Sequence, residues 1–295
     1  MHLAVLGSTT SWYLRDLARA AAGRHTIVPI TFRSLAAASA PVRVQATAGN
    51  EPLSLAAVDA VLVRTMPPGS LEQVVFRMDV LGELERAGKV VINPPKAVET
   101  AVDKFLTTAR LAAAGLNVPA TFTCQDVNDA MAAFEELGGD VVLKPLFGSE
   151  GRGIARLNDE AVARRTFSLL APLGAVLYLQ KFIPHEGFDV RVLLVGEKPW
   201  GMRRRNELDW RTNVSRGAVA EPMDLSDDLV DLARRAAAVV GAPLAGVDLL
   251  TGRDGQTYVL EVNAVPGWQA LSHTLKVDIA AEVLAFIDRR VNAAR

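Results

Sequence analysis

The sequence contains very little cysteine. Cys124 is the single cysteine among 295 residues, which excludes a disulfide-stapled scaffold and is typical of a protein in a reducing cytoplasm. We therefore expect a cytoplasmic location. The histidines are also few, and their spacing does not match that of zinc ligands: they are His2, His25, His185 and His273.

An excess of charge of one sign is missing as well. The chain has 32 Lys plus Arg against 33 Asp plus Glu, so its formal net charge is −1. A general nucleic-acid binder needs a basic surplus, and we expect no nucleic-acid partner. The apolar stretch His2–Gly7 is far shorter than a signal sequence or a membrane span of about 20 residues. We expect no membrane partner either.

Hydrophobic residues are abundant at 50%, which is enough for a buried core, and the length suggests about two domains. The first part of the chain alternates apolar strands with helical patterns, which predicts a small parallel sheet. Asn93-Pro94-Pro95 then indicates a boundary. We predict an α/β (α+β) fold with an N-terminal domain over 1–95 and a second domain over 96–295.

Two local patterns in the second domain are distinctive. The alanine-rich stretch Val102–Ala114, followed by Gly115, predicts one helix. Gly246–Leu250 and Tyr258–Asn263 flank a Gly-Arg-Asp-Gly turn, which predicts a β-hairpin.

This hairpin carries the most specific chemical signal. Side chains alternate along a strand, so Glu261 and Asn263 are predicted on one face, with Leu260 and Val262 on the other. Asp248 on the partner strand is predicted close to Glu261. Two carboxylates and an amide oxygen suit Mg²⁺. The alternative is a plain polar face, although neighbouring like charges disfavour a sheet unless something neutralises them.

A second signal is the apolar strand Val141–Lys144, which leads through Pro145 into the glycine-rich loop Gly148–Gly153. A lysine that leaves a buried strand can place its ammonium on a phosphate, and glycines let backbone N–H groups approach the phosphate oxygens. The pattern matches neither the P-loop nor the dinucleotide-binding fingerprint. A purely structural turn is the alternative.

Two further segments are open to two interpretations. The apolar strand Leu177–Ile183 could give an adenine its backbone hydrogen bonds and an apolar wall, or it could be an ordinary core strand. Arg203-Arg204-Arg205 precedes Asp209–Asn213. Three successive arginines usually form a solvated face, yet guanidinium groups also bind carboxylates and phosphates.

Taken in order, these motifs resemble the ATP-grasp superfamily, and specifically its RimK-like branch of α-L-glutamate ligases. The resemblance extends from about Lys96 to the C-terminus. It implies a pre-ATP-grasp domain, a central subdomain over 96–183 with a glycine-rich lid, and a C-terminal subdomain over 184–295 with a metal site. The matching motifs are Asp103-Lys104, Leu143–Pro145, Gly148–Gly153, Gln180–Ile183, Gly187–Arg191, Arg211–Asn213, Gly246–Asp248 and Glu261–Gly267.

The resemblance also implies roles for residues at the matching positions. Asp248, Glu261 and Asn263 would hold Mg²⁺ or Mn²⁺. The catalytic residues implied near the reacting phosphoryl group are Arg204, Arg211 and Asn213. The residues implied to bind ATP, with Asp189 beside the ribose, are Lys104, Lys144, Gly148, Ser149, Glu150, Gly151, Arg152, Gly153, Gln180, Lys181, Phe182, Ile183 and Asp189.

The activity implied by the resemblance is ATP-dependent amide formation. A substrate carboxylate attacks the γ-phosphate to give an acyl phosphate and ADP, and an amine then displaces phosphate. The expected partners are L-glutamate and a carboxylate on a peptide, a protein or a one-carbon-carrier cofactor. Relatives of this kind are often homo-oligomers, and the sequence leaves the oligomeric state of this chain open. The alternatives are an ATP-grasp kinase that releases no phosphate, or a non-catalytic nucleotide-binding module.

Support for glutamate comes from the density of arginines in one part of the chain. Guanidinium groups that line a site can pair with carboxylates and favour an acidic amino acid. They could instead serve a polyanionic acceptor. The arginines concerned are Arg203, Arg204, Arg205, Arg211 and Arg216.

Overall fold

The computed structural model describes residues 1–148 and 151–295. The ATP-binding predictions for Ser149 and Glu150 therefore lie outside the described residues. The described part of the chain folds into packed sheets and helices, as the α/β prediction required.

The chain begins with the predicted parallel sheet, in which the strand order is β2-β1-β6-β7. Strands of a parallel sheet are covered on both faces and so are apolar throughout, and all four residues of Ala60–Val63 are buried. The elements are β1 (His2–Leu6), α1 (Trp12–Ala21), β2 (Thr26–Ile30), β6 (Ala60–Val63), α2 (Leu71–Arg86) and β7 (Val90–Ile92).

A small antiparallel sheet, absent from the sequence-based interpretation, lies between β2 and β6. Its middle strand alternates buried and exposed positions, with Val44 and Ala46 turned into the core. Its strands are β3 (Ala36–Ser39), β4 (Val42–Ala48) and β5 (Glu51–Ser54), paired in that order.

The single helix predicted over Val102–Ala114 is wrong. The chain forms α3 (Pro95–Val102) and then a separate α4 (Lys104–Ala113). Asp103 between them is extended, and its Oδ1 accepts a hydrogen bond from the Leu106 N–H at 3.0 Å. Asp103 is thus the N-cap of α4, and Lys104 is the first residue of that helix.

The central part of the chain is an antiparallel sheet with strand order β10-β9-β11-β8. Two helices share its core, in which Phe134 and Phe167 are buried. The elements are β8 (Thr121–Cys124), α5 (Val127–Glu136), β9 (Val141–Lys144), β10 (Ala155–Leu157), α6 (Glu160–Leu170) and β11 (Leu177–Lys181).

The C-terminal part is a larger antiparallel sheet with strand order β14-β13-β12-β15-β16. The predicted hairpin is confirmed as β15 and β16. The elements are β12 (Phe188–Val195), β13 (Lys198–Arg205), β14 (Val219–Pro222), α7 (Asp227–Val240), β15 (Leu244–Thr251), β16 (Thr257–Asn263), α8 (Gln269–Leu275) and α9 (Ile279–Ala294).

The first sheet is fixed to this C-terminal sheet by a buried asparagine. The Asn93 amide donates to the Leu244 carbonyl at 2.6 Å and to the Ala264 carbonyl at 2.5 Å. Its Oδ1 accepts from the Leu244 N–H at 3.0 Å. The end of β7 therefore has a defined position beside β15 and the segment that follows β16. Of the helices described, none is both long and apolar enough to cross a bilayer.

Candidate active site

A cleft of about 700 Å³, part of it open to solvent, lies between the central and C-terminal sheets. Most of the predicted site residues line it, although they are far apart in the sequence. The predicted residues in its wall are Lys144, Gln180, Lys181, Phe182, Ile183, Asp189, Arg204, Arg211, Asn213, Asp248 and Glu261. The remaining predicted residues that the structure describes lie outside this wall, and they are Lys104, Gly148, Gly151, Arg152, Gly153 and Asn263.

The hairpin places Asp248 directly opposite Glu261, as predicted. The pairing register shifts between Asp248 and Leu249, which leaves Leu260 as an extra, bulged residue. Leu260 consequently lines the cleft together with Glu261, so the prediction that it faces away is wrong. Val262 is fully buried in the core, as predicted.

Asp248 lies in a buried network of charges, which we call the paired cluster: Asp189, Arg191, Arg204 and Asp248. Arg191 donates to both carboxylate oxygens of Asp248, with Nη2 at 2.8 Å from Oδ2. Arg204 lies 2.9 Å from the same Oδ2. Its Nε also donates to Asp189 Oδ1 at 2.7 Å, and Thr212 Oγ1 donates to Asp189 Oδ2 at 2.6 Å.

The two acids of the paired cluster respond differently to their surroundings. Burial raises the pKa of Asp189 despite its contacts with Arg204 and Thr212. Burial raises the pKa of Asp248, but Arg191 and Arg204 outweigh that effect and hold the pKa at about 2. Because the guanidinium of Arg204 is shared between two carboxylates, its main effect is to fix the position of both side chains.

The three successive arginines divide between the two faces of β13. Arg203 and Arg205 form ion pairs with Glu221 on the neighbouring strand, at 2.6 Å and 3.6 Å. Both guanidinium groups also lie within 5.4 Å of the centre of the Phe188 ring. Only Arg204 enters the cleft, because side chains alternate along a strand.

Lys144 and Glu261 are the charged residues that face each other across the cleft without a direct ion pair. Lys144 Nζ donates to Gln180 Oε1 at 2.6 Å. Burial lowers the pKa of Lys144 to about 8, although the nearby Glu261 carboxylate opposes that shift. Within the described residues, no group hydrogen-bonds to the Glu261 carboxylate, so its negative charge is available to a ligand.

Lys104 lies at the start of α4 and reaches the glycine-rich loop. Its Nζ donates to the Gly148 carbonyl at 2.9 Å, and burial lowers its pKa. At the other end of the loop, Gly151 has a φ of +68°, and a Cβ there would lie 2.5 Å from Asn213 Oδ1. Arg216 Nη2 donates to the Gly151 carbonyl at 3.3 Å. Only glycine fits this contact between the two loops.

The strand predicted to bind adenine has an aromatic wall. The Phe182 ring packs edge-on against Trp210 with 5.8 Å between ring centres, and Arg156 lies 3.6 Å from the Phe182 ring centre. The N–H groups of Lys181 and Phe182 donate to the carbonyls of Ala120 and Asp140. Those two N–H groups are part of the sheet and are not free to bind adenine.

Sequence reasoning missed several residues of the cleft wall. His185 has no zinc-ligand spacing in the sequence, yet it lines the cleft, with its ring centre 5.9 Å from that of Phe182. Burial lowers the pKa of His185. Trp210 and Thr212 lie within motifs that drew attention for other residues. The further wall residues without a prior role are Pro119, Val142, Ile154 and Leu250.

The donor chemistry of the predicted metal ligands fits Mg²⁺, which prefers carboxylate and amide oxygens and retains several waters. The three ligands differ in availability. Glu261 has no hydrogen-bond partner among the described residues, Asn263 Oδ1 accepts from the Val265 N–H at 2.8 Å, and Asp248 is bound by arginines. In the part of the chain that the structure describes, no three His, Cys, Asp or Glu side chains form a metal-binding group. A metal here depends chiefly on Glu261 and on ligand oxygens.

Comparisons with known proteins agree with this geometry. The RimK-like ATP-grasp domain matches residues 101–287. The chain is 33% identical over 262 residues to the tetrahydromethanopterin:alpha-L-glutamate ligase of Methanosarcina acetivorans, covering 79% of this chain and 81% of that protein. The chain belongs to the RimK-like ATP-grasp family.

Two solved structures are similar to this RimK-like ATP-grasp enzyme over nearly their whole length. The RimK domain protein of Sphaerobacter thermophilus is 25% identical with a TM-score of 0.75, covering 97% of this chain and 99% of that one. The ATP-grasp ligase PsnB, solved with a minimal precursor, Mg and ADP, is 22% identical with a TM-score of 0.75, covering 98% and 97%. The predicted family, fold class and type of enzyme, a ligase that forms C–N bonds with ATP, are thereby confirmed.

Proposed function

We propose that this RimK-like ATP-grasp enzyme joins the amine of L-glutamate to a carboxylate acceptor through an acyl phosphate, releasing ADP and phosphate. The observation that carries this proposal is the Glu261 carboxylate, to which no described residue hydrogen-bonds, facing the half-buried ammonium of Lys144 in one cleft. The names of the relatives support glutamate as the amine. They also support an acceptor that is a small carrier molecule or a peptide.

The cleft suggests where each part of ATP binds. Lys144 and Lys104 would contact the phosphates beneath the loop Gly148–Gly153. The aromatic wall of Phe182 and Trp210 would pack against the adenine. Side chains in these positions contribute by holding the phosphates at a fixed place rather than by covalent chemistry.

Asp189 takes a different role in this proposal from the ribose contact expected for it. Both of its oxygens already accept hydrogen bonds, from Arg204 and from Thr212. We assign Asp189 to holding the Arg204 guanidinium in the cleft wall. Arg204 in turn would face the transferred phosphoryl group together with Arg211 and Asn213.

The proposed metal ligands are Glu261 and Asn263, with Asp248 behind them in the paired cluster. When bound, Mg²⁺ neutralises charge on the ATP phosphates. Glu261 would hold it, while Lys144 and Arg204 would offset the negative charge that develops as the acceptor carboxylate attacks the γ-phosphate. The amine then attacks the acyl carbon, and phosphate leaves with one oxygen of the original carboxylate.

The direct test supplies ATP, Mg²⁺ and L-glutamate with a panel of acceptors that includes a pterin carrier and peptides ending in glutamate. We expect ADP, phosphate and amide product in equal amounts, with the amide identified by mass spectrometry. A phosphorylated product without free phosphate would instead establish a kinase. Faster turnover with glycine or alanine would contradict glutamate as the amine.

A further inference from the structure

Arg64 is a buried arginine that has no countercharge within the part of the chain that the structure describes. It follows β6, and its side chain is 6% exposed. Its Nε and Nη1 atoms are enclosed, and neither has a hydrogen-bond partner in residues 1–148 and 151–295. The guanidinium lies between two aromatic rings, 4.6 Å from the centre of Tyr13 and 4.3 Å from that of Trp268.

An unpaired buried guanidinium is unfavourable for folding, because its lost hydration is not replaced. Burial lowers the pKa of Arg64 to about 10. Arg77, which lies in α2, shows how a buried arginine is usually compensated. It is also buried and lies 5.7 Å from the Phe32 ring centre, but its Nη1 donates to the Pro67 carbonyl at 2.7 Å.

The position of Arg64 in the sheet is that of a ligand-binding residue. In the order β2-β1-β6-β7, the strands that follow β1 in the sequence are added first on one side of it (β2) and then on the other (β6 and β7). Open α/β sheets bind ligands at the carboxyl ends of the strands at such a switch point. Gly7 directly follows β1 and lies beside Arg64: a Cβ on Gly7 would be 3.3 Å from the Arg64 Cβ. Ser8 and Thr65, which follow Gly7 and Arg64 in the sequence, are exposed.

One of the rings beside Arg64 belongs to the segment that follows the proposed metal ligands in the sequence. Trp268 follows β16, the strand of Glu261 and Asn263, and its indole N–H donates to Asp16 Oδ2 at 3.0 Å. Tyr13 packs edge-on against Trp268 with 5.0 Å between ring centres. The Tyr13 and Trp268 rings are thus held in place by contacts within the protein. The Nε and Nη1 atoms of Arg64 are the ones that lack a partner among the described residues.

We propose that Arg64 binds a carboxylate of a substrate, in a subsite between the N-terminal sheet and the segment after β16. This inference rests on the proposed function, in which both the acceptor and the amino acid carry carboxylates. A guanidinium fork pairs with a carboxylate through two parallel hydrogen bonds. Such a ligand would supply the countercharge that Arg64 lacks and an acceptor for either Nε or Nη1.

The experiment compares wild-type protein with Arg64→Met and Arg64→Lys, and uses Arg77→Met as the matched control. Binding is measured without ATP by calorimetric titration with L-glutamate, with N-acetyl-L-glutamate and, at high concentration, with acetate. N-acetyl-L-glutamate has no free amine, so it can occupy the acceptor position alone. We expect Arg64→Met to weaken binding of at least one probe more than tenfold, with a smaller loss in Arg64→Lys and none in Arg77→Met.

The probe that is lost identifies the substrate that Arg64 holds. Loss confined to L-glutamate assigns the subsite to the amine substrate, and loss of N-acetyl-L-glutamate assigns it to the acceptor. Equal binding by Arg64→Met and wild type, or no binding of any probe by wild type, would overturn the inference. A melting temperature of Arg64→Met below that of Arg77→Met, with binding unchanged, would identify a structural role instead. Since no ATP is present, these results do not depend on whether the proposed reaction occurs.

Discussion

Two groups of charges in this protein, some buried and some half-buried, differ in how they are compensated. In the paired cluster, every carboxylate and guanidinium has an opposite charge within hydrogen-bond distance. Glu261 and Arg64 lack such a partner among the described residues. A compensated charge stabilises the wall that contains it, whereas an uncompensated charge reduces stability until a ligand arrives. The comparison therefore separates charges that the protein itself neutralises, such as Arg204, from charges that only a bound ligand would neutralise.

The largest expected effect is on the uncompensated carboxylate. Glu261→Gln removes the charge proposed to hold the metal and should lower turnover about 10³-fold, in line with the loss of one preorganised electrostatic group. Its melting temperature should change little, because no hydrogen bond to a described residue is lost. ADP formation and thermal denaturation measure the two quantities. Normal turnover in this variant would place the metal elsewhere.

In the paired cluster, a substitution should have a large effect on stability, unlike Glu261→Gln, whose main effect is on turnover. Arg204→Met leaves Asp189 and part of the charge of Asp248 buried without a partner, and we expect a loss of about 3–5 kcal/mol in the free energy of unfolding. Urea denaturation followed by tryptophan fluorescence measures it. Stability equal to wild type would show that the cluster is not compensated in the way described.

The expected effect at Lys144 is intermediate in size between those at Glu261 and at the surface, and it appears as a dependence of activity on pH. Its pKa of about 8 means that the ammonium predominates below pH 8 and is lost as the pH rises through that value. The kcat/KM for ATP should then fall by up to about tenfold per pH unit above 8, as for one essential proton. Lys144→Arg should retain its charge and lack this decline. A wild-type profile that stays flat to pH 9.5 would contradict the role of the ammonium.

The smallest effect is expected for a paired carboxylate near the surface. Glu221→Gln weakens ion pairs with Arg203 and Arg205, which are partly exposed. Such pairs contribute about 0–1 kcal/mol, so stability should change little and turnover should stay the same. This variant is the control for Glu261→Gln, since both replace a strand glutamate by glutamine. A loss of turnover here would show that the two classes of charge are not distinct.

Local signals in the sequence predicted much of this site. The Gly-Arg-Asp-Gly turn was enough to predict the hairpin and to bring Asp248 near Glu261. The register of the turn alone would pair Asp248 with Leu260, and the bulge at Leu260 places it opposite Glu261. The separate start of α4 had a visible signal too, since Asp103 is a preferred N-cap residue. The alternation of Val42–Ala48 likewise indicated a strand that the sequence-based interpretation passed over.

Other features depend on contacts between distant residues and could not be predicted in this way. The bulge that turns Leu260 into the cleft arises from the pairing of β15 with β16. The pairing of Arg204 with Asp189 and Asp248 needs three strands in place. The isolation of Arg64 becomes visible only once Tyr13 and Trp268 surround it. The domain boundary and the cytoplasmic location stay predictions.

The central claim is that the cleft converts a carboxylate into an acyl phosphate, and the path of one oxygen atom tests it most directly. An acceptor labelled with ¹⁸O in its carboxylate is incubated with ATP, Mg²⁺ and L-glutamate, and the phosphate is analysed by mass spectrometry. We predict one ¹⁸O atom in the phosphate for each amide formed, together with ADP. Amide formation with unlabelled phosphate, or with AMP and pyrophosphate as products, would contradict the account.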